Sequence, residues 1–292
     1  MRLLIIDSNA LVHRAYHALP PLTTKKKELV NAVYGFLTIL FRVLKEVKPE
    51  YVVATFDFPA PTFRSQEFKE YKAKRVKAPD ELYNQIPIVK EILEAFEVPI
   101  FEKQGFEADD LIATIVKIAQ RKQVLPKLEI YILTGDLDAL QLVNESVKVY
   151  ALGKGIKETI IYDQKKVREK FGISPRQVVD FKALAGDPSD NIPGATGIGK
   201  KTAVELLQEY GSVEKLYQTI EKGEAWDLKA KTKKLLTDYK EQVELSFNLA
   251  RARDDASIDF GLEKCSWKGY NKEKARAIIE KYEFYTLLSR LE

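Results

Sequence analysis

Short apolar runs alternate with amphipathic stretches through the first half of the chain. Four of these runs predict strands buried on both faces of a parallel sheet, and they cover residues 2–7, 51–57, 98–101 and 129–134. The stretches around them place apolar residues at helical spacing and predict helices over residues 9–19, 29–47, 80–96 and 105–118, the third interrupted by Pro87. This alternation predicts an α/β fold with a mostly parallel central sheet flanked by helices.

The pattern changes in the second half of the chain. Residues 146–162 predict a hairpin or edge pair, and beyond them the apolar spacing is almost wholly helical. The predicted helices cover residues 163–171, 174–185, 199–209, 212–220, 226–251 and 272–282. We therefore predict two regions, an α/β core at 1–172 and a helical region at 173–292.

Composition narrows the class of protein. The chain has 292 residues, with 47 Lys plus Arg against 43 Asp plus Glu and a net charge of +4. This balance permits a polyanionic partner without requiring one. A single cysteine excludes an internal disulfide framework, and no apolar run reaches the roughly 18–20 residues that a membrane span needs. No signal peptide precedes the first strand, so we expect a soluble intracellular protein.

Acidic residues follow the predicted strands at the point where each strand ends. Asp7 and Asp57 close the first two strands, and Asp136 follows the strand at 129–134. Because the carboxyl ends of parallel strands meet at one edge of a sheet, we expect these side chains to converge there. A group at a helix start and a pair in the helical region can complete the set. The nine candidate ligands are Asp7, Asp57, Glu107, Asp109, Asp110, Asp136, Asp138, Asp187 and Asp190.

Such a set of carboxylates suits Mg²⁺, with Mn²⁺ as a substitute, because both are hard cations that prefer oxygen ligands. Zinc is disfavoured by a chain with one Cys and two His. The set exceeds what one ion needs, which favours two ions that activate water and stabilise the leaving oxygen of a phosphodiester. The plainer interpretation is that each aspartate caps a turn or helix; the coincidence of several segments favours a metal site.

A basic segment with interleaved aromatic residues lies between the second and third predicted strands. Residues 62–78 contain six basic residues, among them Lys72 and Arg75, together with Phe68 and Tyr71. If the segment is helical, this composition suits the phosphates and bases of a single strand. A solvated charged helix is the alternative.

A glycine turn with two lysines opens the helix predicted at 199–209. Residues 194–202 resemble a phosphate-binding Walker loop, but Lys201 stands where Ser or Thr is required and no strand precedes the turn. A helix–hairpin–helix clamp on a DNA backbone fits better, with the Gly197 and Gly199 amides and the two lysines on phosphates.

Together these motifs resemble the 5′ nuclease family, the 5′→3′ exonuclease and flap endonuclease domain of bacterial DNA polymerase I. The resemblance extends over essentially the whole chain, with Ser8 in place of a usual Gly and Val30-Asn31 in place of a usual Thr-Gly. The motifs are LLIIDSN at 3–9, HRAYHALPPL at 13–22, TFDFPAPTFR at 55–64, EYKAKR at 70–75, GFEADD at 105–110, TGDLDALQL at 134–142 and GDPSDNIPGATGIGKKTA at 186–203.

The resemblance implies a PIN-like 5′ nuclease core, a helical arch at about 58–96 and a helix–hairpin–helix at about 186–210. It implies that Lys72 and Arg75 are catalytic residues in the arch and that all nine acids hold metal. It also implies a K⁺ ion at the hairpin. The implied DNA-binding residues are Arg14, Tyr16, Arg64, Gly197, Gly199, Lys200, Lys201 and Thr202.

The implied function is structure-specific 5′→3′ exonuclease and 5′-flap endonuclease activity by two-metal-ion catalysis, in replication and repair. The implied substrates are branched, nicked or flapped duplex DNA and RNA–DNA hybrids, with a DNA polymerase as a partner. We expect a monomer in the cytoplasm, associated with the nucleoid and not with a membrane. The alternatives are a related metal-dependent ribonuclease and a non-catalytic DNA-junction-binding protein.

Overall fold

The computed structural model describes residues 1–121 and 128–291. A six-stranded sheet forms its centre, in the order β3-β2-β1-β4-β5-β6. All neighbouring strands are parallel except β6, which runs antiparallel to β5. The strands are β1 Arg2–Asp7, β2 Tyr51–Thr55, β3 Ile100–Phe101, β4 Glu129–Thr134, β5 Val147–Leu152 and β6 Thr159–Tyr162. The predicted α/β class and its antiparallel edge pair are confirmed.

Helices cover both faces of the sheet and make up the second half of the chain. They are α1 Ser8–Ala18, α2 Asn31–Val47, α3 Phe63–Glu67, α4 Asp80–Tyr83, α5 Ile86–Ala95, α6 Ala108–Arg121, α7 Gln164–Phe171, α8 Val178–Ala185, α9 Lys200–Tyr210, α10 Val213–Glu221, α11 Ala230–Asp238, α12 Lys240–Ala250 and α13 Lys272–Lys281. Short 3₁₀ helices lie at Leu137–Leu142, Pro175–Gln177, Leu262–Cys265 and Tyr285–Arg290. In the described part of the chain, no helix combines the length and apolarity that crossing a bilayer requires.

The two faces of the sheet belong to two buried clusters. In β1 the side chains alternate, so that Leu4 and Ile6 join one cluster while Leu3 and Ile5 join the other. The first cluster holds the apolar sides of α1, α2, α5 and α13. The second runs without interruption from the sheet into α8, α9 and α10. The helical region therefore packs on one sheet face and shares its core.

Two predicted helical stretches differ from the observed elements, and a third is interrupted as predicted. The helix at 80–96 is divided into α4 and α5, because Pro87 has no N–H to donate and lies in the first turn of α5. The helix predicted at 226–251 is divided at Tyr239, whose backbone (φ −108°, ψ 18°) leaves the helical region. The basic segment is helical only in α3, and Lys72 adopts a left-handed φ of 57° that a helix cannot contain.

Candidate functional site

A cavity of about 390 Å³ lies at the carboxyl edge of the sheet. Acids from five separate segments line it: the end of β1, the loop after β2, the start of α6, the loop after β4 and the loop after α8. Lys72 and Arg75 also line it, so that acidic and basic side chains lie in the same cavity. We call this space the acid cavity. The predicted acids that line it are Asp7, Asp57, Glu107, Asp109, Asp136 and Asp190.

Hydrogen bonds at the element ends fix these carboxylates. Asp7 accepts from the Ala10 amide at 3.2 Å, which caps α1, and from the Thr134 hydroxyl at 2.6 Å. The Ala108 amide donates to Asp57 at 2.8 Å and so joins the loop after β2 to the start of α6. The same residues that end or begin the elements therefore aim the acids into the cavity.

The acids of the cavity raise the proton affinity of one another. Burial, with smaller contributions from Asp57 and Asp136, raises the pKa of Asp7 to about 7. Burial and the charges of Asp7, Asp136 and Asp138 hold the pKa of Asp109 well above its usual range. A compensating positive charge is needed for all of them to ionise together.

Basic side chains supply part of that charge at the cavity opening. Lys72 donates to Glu107 at 2.8 Å, and Arg75 donates to Asp190 at 2.5 Å. The buried Tyr71 hydroxyl donates toward both acids, at 3.1 Å and 3.2 Å. Burial lowers the pKa of Lys72, but Glu107 and Asp190 together outweigh it, so the pKa is raised and the side chain stays charged.

The basic segment is held on the acidic loop by its backbone as well. The Lys72 amide donates to the Asp190 carbonyl at 2.9 Å, and the Asn191 side chain donates to the Glu70 carbonyl at 2.8 Å. Asn191, like Lys72, has a left-handed backbone (φ 57°). These contacts bring residues more than one hundred positions apart to the same opening.

Asp110 and Arg64 are placed differently from the expectation. Arg64 is 3 % exposed and donates twice to Asp110, at 2.8 and 2.9 Å. Its other N–H groups reach Glu107 and two backbone carbonyls. Asp110 is fully buried and accepts from two backbone amides besides. Because both are saturated by these bonds, the structure provides neither an open metal ligand at Asp110 nor a DNA-facing Arg64.

Asp138 and Asp187 face a lysine that the motif analysis missed. Lys182, at the end of α8, contacts Asp138 and donates to Asp187 at 2.6 Å. Burial and Asp136 raise the pKa of Asp138 to about 6 despite this contact. For Asp187, burial is outweighed by Lys182 and Ser189, and the pKa is lowered. Lys182 carries no local sequence signal, because it lies within an ordinary amphipathic helix.

The carboxylates of the acid cavity are chemically suited to bind a divalent cation. Within residues 1–121 and 128–291, no three His, Cys, Asp or Glu side chains are already arranged around a common metal position. The oxygen ligands of Asp7, Asp109 and Asp136 are nevertheless the type that Mg²⁺ prefers. Their mutual repulsion is the kind that a bound cation relieves.

Two other residues of the α/β core, Arg14 and Tyr16, were predicted to bind DNA, and they lie at or next to the same cavity. Arg14 lines it and donates to the Gly135 carbonyl at 3.2 Å. Tyr16 is half-buried beside it, edge-on to His17 with ring centroids 5.2 Å apart. His13 and His17, which were assigned no role from the sequence, also line the cavity.

The glycine turn is exposed and leads directly into α9. Gly197 has φ +91°, Gly199 has open space around its α-carbon, and no side chain caps the helix. Buried Ile198 anchors the turn, while Lys200 and Lys201 are exposed and Thr202 is half-buried. Free amides at a helix start beside two lysines are suited to phosphate.

Two family models match the chain. The model described as 5′-3′ exonuclease, N-terminal resolvase-like domain, matches residues 2–172, and the one described as 5′-3′ exonuclease, C-terminal SAM fold, matches residues 173–273. The chain belongs to the 5′-3′ exonuclease family of nucleases, as the motif resemblance implied.

Curated relatives agree with this membership. DNA polymerase I of Bacillus subtilis is 40% identical over 99% of the chain, which spans 32% of that protein. The chain thus spans about a quarter to a third of the length of the DNA polymerase I relatives it matches. The 5′-3′ exonuclease of Aquifex aeolicus is 38% identical over 99% of the chain and 95% of that protein.

Solved structures share the fold. The T5 D15 protein co-crystallised with metal ions has a TM-score of 0.71 at 19% identity, with complete coverage of both chains. The catalytic core of Rad2 in complex with DNA substrate has a TM-score of 0.61 at 15% identity, covering 99% of this chain and 92% of that one.

Proposed function

We propose that this chain is a structure-specific 5′→3′ exonuclease and 5′-flap endonuclease that hydrolyses phosphodiester bonds of DNA and of RNA primers in hybrids. The observation that carries the proposal is the acid cavity, which carboxylates from five chain segments line together with the cations Lys72 and Arg75. Hydrolysis of a polyanion needs both features, since carboxylates alone would repel the substrate.

Two divalent cations, Mg²⁺ or Mn²⁺ in its place, would supply Lewis-acid activation of water and stabilisation of the leaving oxygen. Asp7, Asp57, Glu107, Asp109, Asp136 and Asp190 line the cavity and are the residues that would hold them. Asp138 and Asp187, which Lys182 contacts, would complete the set. We assign to Lys72 and Arg75 the role of binding the scissile phosphate. A phosphate that draws these two side chains away would free Glu107 and Asp190 for a cation.

The glycine turn is the proposed grip on the duplex. Its exposed amides and the two lysines would bind phosphates without reading sequence, and the turn carbonyls would hold K⁺. The substrates are then branched, nicked or flapped DNA and RNA–DNA hybrids. We further propose that the protein acts as a monomer beside a DNA polymerase, in the cytoplasm at the nucleoid.

The test is cleavage of a labelled 5′-flap duplex, with Mg²⁺ or with EDTA, by the wild-type protein and by Asp109→Ala. We expect Mg²⁺-dependent cutting near the junction, its loss in the variant, and little change in flap binding. Asp254→Ala, which removes a half-exposed acid paired with Lys117, is the matched control and should cut normally. Undiminished cleavage by Asp109→Ala would refute the assignment.

The same experiment separates the alternatives. A non-catalytic junction-binding protein would bind the flap and leave it intact in Mg²⁺. A ribonuclease would cut single-stranded RNA in preference to the flap duplex.

A further inference from the structure

A mostly buried lysine joins two of the predicted metal ligands next to the acid cavity. Lys182 Nζ donates to Asp187 Oδ2 at 2.6 Å and contacts Asp138 Oδ1 as well, so that one ammonium group bridges two carboxylates. Only 13 % of the Lys182 side chain is exposed. We call these three residues the lysine bridge. Ion pairs that are shielded in this way are weakened much less by salt than exposed ones.

Each carboxylate of the lysine bridge is also held by its own segment. Asp187 Oδ1 accepts from the backbone N–H and from the hydroxyl of Ser189, at 2.9 and 2.6 Å, so both oxygens of Asp187 have donors. Asp138 lies in the 3₁₀ helix after β4, and its amide donates to Asp136 Oδ1 at 2.9 Å. Because Asp136 lines the acid cavity, the lysine bridge borders the proposed metal site.

The lysine bridge contains more negative than positive charge. Among residues 1–121 and 128–291, Lys182 is the one cationic side chain that forms an ion pair with Asp138 or Asp187. Two carboxylates therefore share a single ammonium group, and negative charge is left over. A divalent cation could supply the missing positive charge, but it would bind the same carboxylates as the lysine.

Lys182 and a divalent cation would therefore compete for these oxygens. A cation that binds both Asp138 and Asp187 must displace Lys182 from at least one of them, and separating a shielded ion pair costs free energy. That cost reduces the affinity for the cation. Asp7 and Asp109 differ in this respect, because neither forms an ion pair with any residue that the structure describes, and both line the acid cavity.

We propose that Lys182 is a built-in counter-ion that competes with the second divalent cation for Asp138 and Asp187. A cation held by Asp7 and Asp109 meets no such competitor and binds tightly, whereas the second cation binds the free protein weakly. Lys182 is thus a positioning residue, since it acts through the two carboxylates and not on the reacting atoms. This inference rests on the proposed function, which requires two cations.

The test counts the Mn²⁺ ions that the full chain binds without DNA. Calorimetric titration, with free Mn²⁺ followed by electron paramagnetic resonance, gives the number and affinity of bound ions for wild type and Lys182→Gln. Wild type should bind one ion tightly and one weakly. Lys182→Gln removes the charge but keeps a donor, so the weak ion should bind about 5- to 150-fold more tightly while the affinity of the tight ion changes little.

Two control variants and one wild-type measurement accompany this titration. Lys182→Arg keeps the charge and should keep the second ion weak. Lys117→Gln removes a lysine that pairs with Asp254 at 2.7 Å, and it should match wild type. In wild type, the ¹⁵N NMR signal of the Lys182 ammonium, assigned by its absence in Lys182→Arg, should shift over the Mg²⁺ range in which the weak ion binds. This measurement does not depend on the folding of Lys182→Gln.

Two results would overturn the proposal. One is unchanged or weaker binding of the second ion by Lys182→Gln, and the other is a Lys182 signal that stays constant while the second ion binds. In either case the lysine would not compete with the cation. Cleavage of the 5′-flap duplex is measured separately. A wild-type protein that shows the expected Mn²⁺ binding but leaves the duplex intact would refute the proposed nuclease function and still support the role of Lys182.

Discussion

Adjacent acids at the start of α6 have opposite surroundings. Asp109 lines the acid cavity among other carboxylates, with its pKa well above the usual range because of burial and Asp7. Asp110 is fully buried and accepts four hydrogen bonds, two of them from Arg64. Asp109 is therefore destabilised as a charged group by the carboxylates around it, whereas Asp110 stabilises the buried guanidinium of Arg64.

This contrast gives the first prediction at the residue scale. Asp110→Ala should lower the free energy of unfolding by about 3–5 kcal/mol, because it leaves a buried, unpaired guanidinium. Asp109→Ala should leave that free energy unchanged or raise it, since it removes a repelled carboxylate. Urea unfolding followed by circular dichroism in EDTA measures both. A stable Asp110→Ala protein would contradict the structural role of the Arg64 pair.

The pH dependence of stability is the second residue-scale prediction. The pKa of Asp7 is raised from 3.8 to about 7 in the folded protein, chiefly by burial. Between these values the folded state holds the extra proton, so the metal-free protein loses stability as pH rises from about 4 to 7. Asp7→Asn cannot titrate, and its Oδ1 can still accept from Ala10.

The measurement is the free energy of unfolding of both proteins at pH 5 and at pH 8, in EDTA. Wild type should lose on the order of a few kcal/mol more than Asp7→Asn over this interval. Groups that do not interact with Asp7 titrate alike in the two proteins and cancel in the difference, whereas Asp109, whose pKa the Asp7 charge raises, changes the difference in the same direction. Parallel pH profiles would show that the folded protein does not raise the Asp7 pKa.

At the scale of elements, two glycines of the turn have different roles, because the fold needs one of them and the proposed DNA contact needs the other. Gly197 needs its left-handed backbone, and a β-carbon there would also lie 3.0 Å from Leu235 of α11. Gly199 has φ −86° and nothing within 4 Å of an added β-carbon. A side chain at Gly199 therefore costs the fold little but stands where a phosphate would approach the amides.

We predict that Gly197→Ala lowers the free energy of unfolding by about 1–2 kcal/mol. Gly199→Ala should keep the wild-type stability and lose about tenfold or more in affinity for duplex DNA, since charged hydrogen bonds to amides are obstructed. Urea unfolding and fluorescence anisotropy of a labelled duplex measure the two effects. Wild-type DNA affinity in Gly199→Ala would remove the turn from the binding surface.

At the scale of the whole molecule, one core joins the α/β region to the helical region. Ile132 of β4 and Val149 of β5 belong to the same buried cluster as Leu184, Leu206 and Leu216. A contiguous cluster of this kind usually marks a single cooperative unit. The predicted boundary near residue 172 therefore separates two regions of the sequence, but both regions contribute side chains to one core.

The prediction is one unfolding transition for both regions. Hydrogen exchange in increasing urea should give the same opening free energy for peptides of β4 and of α8. A fragment of residues 1–172 should fail to unfold cooperatively, because it exposes the sheet face that α8 to α10 cover. A folded fragment with its own sharp transition would contradict the shared core.

Local pattern was sufficient for most elements. Strands β1, β2 and β4 lie where continuous apolar runs predicted them, because strands buried on both faces need such runs. The interruption at Pro87 also follows from the sequence, because proline has no N–H to donate. The predictions were wrong at Tyr239, where the helix is divided, and in the basic segment, which is helical only in α3. The left-handed Lys72 is stabilised by a backbone bond to the distant Asp190, which no local pattern reveals.

The sequence by itself determined the α/β class, the family and the convergence of acids, because the strands and their carboxyl ends follow from apolar runs and the residues after them. Only the tertiary structure decided which charges meet. It paired Asp110 with Arg64 and set Lys182 between Asp138 and Asp187. Those outcomes depend on side chains far apart in the chain, whose separation is fixed only when the shared core packs.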